Sequence, residues 1–305
     1  MGFSTIRMKI LVFGASGQVG QALKSCIDPS VSVRFVNRTD VDFTAFKKIE
    51  SVIHDFQPTH IINAAAYTAV DQAESDSSMA RVVNAEAVGI VAACAAKYDA
   101  TLIHYSTDYV FDGTQTTPYK EDDQPNPVTV YGQSKLLGEK FIRESNCRFF
   151  ILRTSWVISS TGNNFVKTIL RLAQINEQLK VVNDQVGAPT TANLIARWTV
   201  DLIMGDPITN CRNETYHFCA SGEVSWFDVA VHAISYAQTL GISFRCPPDR
   251  VKAISTAEYQ TQAKRPLNSR LNTSKLTHMM GKSIPSWEQG VDGTIDQLLK
   301  EGFLT

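Results

Sequence analysis

The chain has 305 residues, of which 44% are hydrophobic and 19% are charged, with a formal net charge of −1. This is a globular composition, long enough for one large α/β domain or two smaller ones. The near-neutral charge argues against a nucleic-acid groove, and we find no apolar run of the ~18 residues needed to span a bilayer. The six cysteines form no CxxC pair or metal-ligand cluster. We therefore expect a reduced, cytoplasmic protein with no membrane or nucleic-acid partner.

The first half of the sequence alternates short apolar runs with helical patterns. Strands are predicted from runs that begin near Met8, Val31, His60, Thr101 and Cys147, with helical stretches between them. Such alternation indicates βαβ units and a parallel sheet. The runs are almost continuously apolar, which is typical of a sheet covered on both faces.

After about Ser155 the pattern changes, and polar loops separate the helical stretches. We expect an α/β protein with a Rossmann-type, doubly wound parallel sheet and a smaller C-terminal lobe. Residues 1–155 are predicted to form the nucleotide-binding domain, and residues 156–305 mainly the substrate-binding lobe. Part of 185–215 is expected to thread back to the first domain.

A glycine turn, GASGQVG, follows the first predicted strand and opens a helix. Gly14 allows a tight turn, Gly17 lets the backbone approach a pyrophosphate, and Gly20 lets the helix pack closely on the sheet. The helix N-terminus then faces the anion. Tight strand-to-helix turns also favour glycine, and the GxxGxxG spacing differs from the GxGxxG of many dehydrogenases. The position at the first βα junction favours a dinucleotide site.

The end of the second strand, FVNRTDVDF, bears on the choice of cofactor. An acidic residue there would bind the ribose 2′-hydroxyl of NAD. Here Asn37 and Arg38 stand at the tip, which favours the 2′-phosphate of NADPH, while NADH stays possible. Asp42 and Phe43 follow and could lie along the adenine. The alternative is that Arg38 is a solvated loop charge.

Three polar residues are predicted to meet at the carboxyl edge of the sheet. Thr107 ends the fourth strand beside Ser106, and Tyr131 and Lys135 lie one helical turn apart in YGQSK. A free tyrosine has a pKa near ~10, which a nearby ammonium lowers. Such a set can protonate a carbonyl oxygen while a nicotinamide delivers hydride to the carbon. The alternative is an ordinary surface pair on a helix.

Seven segments together resemble the dTDP-4-dehydrorhamnose reductase family of the extended short-chain dehydrogenase/reductase superfamily. They are GASGQVG, NAAAYTAVDQAE, YSTDYVFDG, YGQSK, RTSWV, NDQVGAPT and RPLNSRL, and the resemblance runs from Met8 to about Gly293. It implies NADPH-dependent reduction of the 4-keto group of dTDP-4-dehydro-β-L-rhamnose, giving dTDP-β-L-rhamnose for cell-surface polysaccharide.

The resemblance also implies roles for individual residues. Tyr131 would be the proton donor, Lys135 its partner and a ligand of the nicotinamide ribose, and Thr107 the third member of a triad. Further cofactor contacts would come from Ser16, Gln18, Val19, Ala65, Ala66 and Tyr67. Contacts to the sugar nucleotide would come from Thr68, Thr107, Asp108, Trp156 and Arg265. A histidine often stands at the position of Tyr67, and Arg265 could instead be a structural loop arginine.

One departure from the family concerns metal binding. Some members dimerise through magnesium held by glutamates at three positions, which here are Ala22, Asn193 and Glu288. A divalent cation needs several hard oxygen ligands, so we predict no structural magnesium and no metal-bridged dimer.

Two alternatives stay open from the sequence. One is another NDP-sugar 4-ketoreductase or epimerase on the same scaffold. The other is a non-catalytic regulatory subunit like the methionine adenosyltransferase β subunit, which shares similar segments. The intact NDQVGAPTTAN segment favours an enzyme.

Overall fold

A computed structural model describes residues 8–205 and 213–304. The strands, in chain order, are β1 (Lys9–Phe13), β2 (Ser32–Val36), β3 (His60–Asn63), β4 (Thr101–Thr107), β5 (Arg148–Thr154), β6 (Val157–Ile158), β7 (Leu179–Val182), β8 (Val186–Gly187), β9 (Thr190–Thr191), β10 (Glu214–His217), β11 (Val224–Ser225) and β12 (Val251–Ile254). The helices are α1 (Gln18–Cys26), α2 (Phe46–Phe56), α3 (Val70–Ser75), α4 (Ser77–Arg81), α5 (Ala87–Lys97), α6 (Val130–Glu144), α7 (Phe165–Ile175), α8 (Ala192–Met204), α9 (Trp226–Thr239), α10 (Ser274–Met280) and α11 (Trp287–Lys300).

The central sheet has six strands in the order β10-β5-β4-β3-β1-β2. All of its pairings are parallel. The chain runs outward from β1 to β2 and then returns to build the rest of the sheet on the other side of β1. This reversal opens a crevice at the carboxyl ends of β1 and β3, where open α/β folds bind ligands. The predicted doubly wound α/β fold is confirmed.

Apolar cores on both faces explain why the strands carry almost uninterrupted hydrophobic runs. On one face Val12, Ile62 and Ile103 pack with residues of α1 and α8. On the other face Leu11 and Ile61 pack with residues of α2 and α5. The sheet is therefore held between two helical layers.

The sixth strand, β10, was missed by the sequence analysis. Glu214 to His217 pairs with Phe150 to Arg153 of β5. Its sequence, ETYH, has neither an apolar run nor a clear alternation, because half of this strand is only partly buried. The preceding helix α8 packs on α1. The chain thus returns to the first sheet after it has left it.

The second lobe has its own core. Helices α7, α9 and α11 surround the parallel pair β7–β12. Val229, Ile234, Val291 and Ile295 are fully buried there. Ile158, four residues after the end of β5, already belongs to this second core.

One segment differs from the expectation that no apolar run is long enough to span a bilayer. The segment Ser77–Lys97, which joins α4, a π-helical turn at Val82–Glu86 and α5, is long and apolar enough to cross a membrane by length and composition. Half of it is buried inside the protein. Its Val and Ala side chains, such as Val88 and Val91, pack in the core against the sheet.

Candidate active site

The glycine turn lies between β1 and α1 and needs glycine at two positions. Gly14 has a φ of 80°, and a Cβ there would lie 2.5 Å from the Ala64 carbonyl carbon. At Gly20 a Cβ would lie 2.2 Å from the Gly14 oxygen. The turn and the close approach of α1 to the sheet are therefore possible only with residues that have no side chain.

A cleft of about 230 Å³ opens above this turn. Most of the residues predicted to bind a cofactor line it: Gly14, Ser16, Gly17, Asn37, Arg38, Asp42, Phe43, Ala65, Ala66 and Tyr67. The sequence analysis did not anticipate the apolar side of the cleft, which includes Phe13, Val36, Val41, Met79 and Val83. Met79 lies in α4 and Val83 in the π-helical turn that follows it, and no local motif marks them.

The tip of β2 is exposed and held by short-range contacts. The Asn37 side-chain oxygen accepts hydrogen bonds from the Thr39 amide and hydroxyl, at 2.9 and 2.6 Å. Arg38 Nε lies 3.3 Å from Asp42 Oδ2, and their side chains are 81% and 40% exposed. The Thr44 backbone N–H is the main group that lowers the pKa of the Asp42 carboxyl. Arg38 can therefore exchange its carboxylate partner for another anion at little cost.

Thr107 and Tyr131 meet at the carboxyl end of β4. Tyr131 is the second residue of α6, whose N-cap Thr129 accepts a hydrogen bond from the Gly132 amide at 3.0 Å. A Cβ at Gly132 would lie 2.1 Å from the Tyr109 oxygen, so the helix start packs directly on the turn that follows β4. This packing brings the phenol of Tyr131 close to the Thr107 hydroxyl.

The pKa of Tyr131 is raised, mainly by burial, and the hydrogen bond with Thr107 only partly opposes this. We expected Lys135 to lower it. Instead, Lys135 Nζ lies beneath β4, where it donates to the Tyr105 carbonyl oxygen at 2.7 Å and lies 3.2 Å from His104 Nε2. The expected lowering of the Tyr131 pKa by Lys135 is wrong for this arrangement, since Lys135 Nζ is directed toward the strand.

A buried ion pair ties α6 to the sheet. Glu139 accepts hydrogen bonds from Arg153 Nε at 2.9 Å and Nη2 at 2.8 Å, and from the Ser106 hydroxyl at 2.6 Å. Burial would raise the pKa of Glu139, but Arg153, Arg143 and the Ser106 hydroxyl together outweigh it and lower the pKa to about 2. Glu139 follows Lys135 by one helical turn, so this pair fixes the helix that carries Tyr131 and Lys135.

The comparisons with known proteins agree with this geometry. Residues 8–300 match the family described as the RmlD substrate binding domain. dTDP-4-dehydrorhamnose reductase from Escherichia coli K12 is 41% identical over 295 residues, covering 95% of this chain and 98% of that protein. The chain belongs to the dTDP-4-dehydrorhamnose reductase family.

Two solved structures of family members superpose on nearly the whole chain. The reductase from Bacillus anthracis, solved in complex with NADP, is 34% identical with a TM-score of 0.87 and covers 96% of this chain and 100% of its own. The reductase from Clostridium acetobutylicum is 35% identical with a TM-score of 0.88, with the same coverage. Membership in the dTDP-4-dehydrorhamnose reductase family therefore rests on both sequence and fold.

Two of the residues suggested by the family resemblance lie outside the cleft. Gln18 Oε1 accepts a hydrogen bond from Asn164 Nδ2 at 3.2 Å, which links α1 to the start of α7. Val19 packs against the core beneath α1. Any pyrophosphate contact of these two residues would have to come from their backbone, and both assignments stay predictions.

Asp108 and Trp156, the two predicted sugar-nucleotide contacts, lie in different surroundings. Asp108 is 4% exposed, and burial raises the pKa of its carboxyl to about 6. Trp156 has a φ of 49° and stacks on Trp226 with ring centroids 3.6 Å apart. A Cβ at Gly187 would lie 2.7 Å from its indole, so a close backbone approach fixes this ring. Their contacts to a sugar nucleotide stay predictions.

Arg265 is bound within the protein. Its Nη2 donates to Asp71 Oδ2 at 2.6 Å and its Nη1 to the Tyr109 hydroxyl at 3.3 Å. The ring of Tyr109 packs edge-on against Tyr131, with centroids 5.6 Å apart. Arg265 therefore stands near the reacting groups, whereas Thr68 is exposed at the rim. The structural role that we weighed for Arg265 is present, and its contact with a diphosphate stays a prediction.

Four buried polar residues near the site were missed by the sequence analysis. Thr154 Oγ1 and Ser155 Oγ, at the end of β5, have no hydrogen-bond partner among residues 8–205 and 213–304. Asn63 and His104 form a hydrogen-bonded pair beside Lys135. The strand-end position of Thr154 and Ser155 could have revealed them, but the Asn63–His104 pair depends on the register between β3 and β4.

The three positions at which some family members bind magnesium through glutamates hold only one carboxylate in this chain. Ala22 is buried in the core beneath α8. Asn193 is exposed on α8 and Glu288 lies in the first turn of α11. The expectation of no structural magnesium stays a prediction.

Proposed function

We propose that this chain reduces the 4-keto group of dTDP-4-dehydro-β-L-rhamnose with NADPH and releases dTDP-β-L-rhamnose. The observation that carries the proposal is the proximity of the Tyr131 phenol to the Thr107 hydroxyl at the carboxyl end of β4, together with the cleft above the glycine turn. Family membership supports the reaction, because relatives about 40% identical over nearly the whole chain carry the name of this reductase. The chain is thus an oxidoreductase.

The cleft fits a dinucleotide. Gly14 and Gly20 permit the tight turn and the close packing of α1, whose N-terminus opens directly after that turn. Arg38 at the β2 tip suits the 2′-phosphate that distinguishes NADPH from NADH. A reduced nicotinamide supplies the hydride when it is bound.

The side chains of this protein supply the proton and the orientation. For each hydride that reaches the carbonyl carbon, one proton must reach its oxygen. Tyr131 donates that proton, and the Thr107 hydroxyl binds the same oxygen and aligns it. The raised pKa keeps Tyr131 protonated before the reaction. A positive Lys135 that approaches the site would then ease the departure of the proton.

We also propose how the chain divides these tasks. Residues 1–155 would bind the cofactor, with part of 185–215 completing that domain, and residues 156–305 would bind mainly the sugar nucleotide. Asp108, Trp156 and Arg265 would contact the sugar nucleotide. The partner would be the dTDP-sugar, without nucleic acid, a membrane or a magnesium-bridged dimer, and the enzyme would act in the cytoplasm.

The test is turnover with the defined substrate. The purified chain is mixed with dTDP-4-dehydrorhamnose and NADPH, cofactor loss is followed by absorbance, and the sugar product is identified by NMR. Consumption of NADPH with formation of dTDP-L-rhamnose is expected. NADPH binding without turnover would support the regulatory-subunit alternative, and exchange at C4 without net NADPH loss would support an epimerase.

A further inference from the structure

Three buried side chains form a hydrogen-bonded chain behind the active site. Asn63 ends β3, His104 lies beside it in β4, and Lys135 projects from α6. Their exposed fractions are 1%, 0% and 2%. Asn63 Nδ2 lies 3.1 Å from His104 Nδ1, and His104 Nε2 lies 3.2 Å from Lys135 Nζ.

The backbone fixes the direction of the first hydrogen bond. The Ala65 N–H donates to Asn63 Oδ1 at 3.1 Å, so the oxygen of this amide faces the backbone and its NH₂ group faces His104. An NH₂ group can only donate. His104 Nδ1 must therefore accept, and a neutral imidazole that accepts at Nδ1 carries its proton on Nε2.

The second hydrogen bond then requires an acceptor on Lys135. The Nε2–H of His104 points at Nζ, which can accept only if the amine is neutral and has a lone pair. A neutral amine still has hydrogens to donate to the Tyr105 carbonyl oxygen, 2.7 Å away. All of these bonds are satisfied together only when Lys135 is neutral.

An ammonium at Lys135 creates a conflict at the other end of the chain. His104 Nε2 would have to accept, so the proton would move to Nδ1, where it would face the NH₂ group of Asn63. Two donors would then be opposed in a buried site, which is costly.

We propose that Asn63 and His104 are positioning residues that lower the proton affinity of Lys135 and couple its charge to the tautomer of His104. The consequence for catalysis rests on the function proposed above. When Lys135 is protonated and donates to another acceptor in the cleft, its hydrogen bond with His104 breaks.

The other ionisable groups around Lys135 act in known directions. Burial lowers the pKa of Lys135 to about 8, and the carboxylate of Glu139 on the same helix opposes this. The negative charge of Glu139 is itself balanced by ion pairs with Arg153 from β5 and with Arg143. Burial and the adjacent Lys135 keep the pKa of His104 well below its usual value, so His104 stays neutral. Tyr131 lies one turn away on α6, and Asp108 follows β4.

The first experiment measures the His104 tautomer in the cofactor-free full chain. Nitrogen-15 chemical shifts of labelled histidines distinguish the two ring nitrogens, and a His104→Gln sample assigns the signal. At about pH 9, above the pKa of about 8 for Lys135, we expect the proton on Nε2. A proton on Nδ1 at that pH would overturn the proposal.

The second experiment reverses the hydrogen-bond direction with Asn63→Asp. A carboxylate accepts from Nδ1–H, so His104 should hold its proton on Nδ1 at every pH, and Nε2 should accept from a charged Lys135. The Lys135 titration, followed by NMR of carbon-13-labelled lysine, should then move up by about one pH unit or more. An unmoved titration together with a switched tautomer would contradict the coupling.

Asn84→Asp is the matched control. Asn84 is also fully buried beside α6, but it donates to Ser134 Oγ at 3.0 Å and does not contact His104. In this control the His104 tautomer should stay as in the parent chain. A switch would show that the effect of Asn63→Asp comes from the added negative charge and not from the hydrogen bond to His104, which would contradict the proposal. Neither NMR readout needs turnover, so a chain inactive on dTDP-4-dehydrorhamnose would refute the proposed function while leaving this inference decided by its own data.

Discussion

The two ends of the cleft are built differently. At the β2 tip, Asn37, Arg38 and Asp42 are held by contacts that span two to four residues of chain and lie open to solvent. At the catalytic end, Lys135 and Glu139 are buried, and their hydrogen bonds reach across 14 to 33 residues to β4 and β5. The exposed end can change its partner without disturbing the fold, whereas at the buried end chemistry and stability depend on the same atoms.

Replacing the proposed acid should give the largest effect on activity. Tyr131→Phe removes the phenol proton and should lower turnover by about 10²–10⁴-fold. The affinity for NADPH, measured by fluorescence titration, should change little because the cleft above the glycine turn is untouched. Tyr236→Phe, at a tyrosine of the second lobe that donates to Asp296 at 3.0 Å, is the control and should keep the parent rate. A near-normal rate for Tyr131→Phe would refute the acid assignment.

Breaking the buried ion pair should give the largest effect on stability. Glu139→Gln leaves Arg153 charged and buried, and should lower the free energy of unfolding by about 3–5 kcal/mol in urea denaturation. Glu177→Gln, which removes the exposed partner of Arg245, should cost less than about 1 kcal/mol. Equal losses in the two variants would show that the buried end is no more tightly coupled than the surface.

The same pair predicts a pH dependence of stability. The pKa of Glu139 is lowered from 4.5 to about 2, so its contribution is complete above pH 4.5 and is lost as the pH falls toward 2. The free energy of unfolding of the parent chain should therefore fall more steeply over this range than that of Glu139→Gln. Parallel curves would argue that Glu139 is not ionised against Arg153 in the folded chain.

A substitution at the exposed β2 tip should change the affinity for the cofactor and leave stability nearly unchanged. Arg38→Ala should weaken NADPH binding by about tenfold or more and leave NADH binding nearly unchanged, because only NADPH carries the 2′-phosphate. Stability should change by less than about 0.5 kcal/mol. Arg34→Ala, at an exposed position of β2 four residues before Arg38, should alter neither affinity. Equal losses for the two cofactors would refute the assignment of Arg38.

The local patterns in the sequence were sufficient for the first five strands of the sheet and for the glycine turn. Continuous apolar runs and the spacing of Gly14, Gly17 and Gly20 are local signals that the packing does not override. The strand Glu214–His217 could not be found in this way, because its place at the sheet edge comes from pairing with β5 rather than from its own residues.

The site shows the same limit. Tyr131 and Thr107 were identified from a motif and a strand end, and the structure brings them into contact. The direction of Lys135 could not be inferred from helical spacing, because it depends on the Tyr105 carbonyl and on His104 across the sheet. Motifs identify which residues can react, whereas their protonation depends on neighbours that only the tertiary fold supplies.

The return of the chain to its first sheet has a consequence for synthesis. Until residue 217 has left the ribosome, β5 is an unpaired edge, and the face of the sheet that α8 covers stays open. An exposed strand edge beside an apolar face is prone to aggregation. We expect the nascent chain to need a chaperone over this interval. Because the chain returns to the first sheet, we also expect the two lobes to have evolved as one unit and not as modules exchanged between proteins.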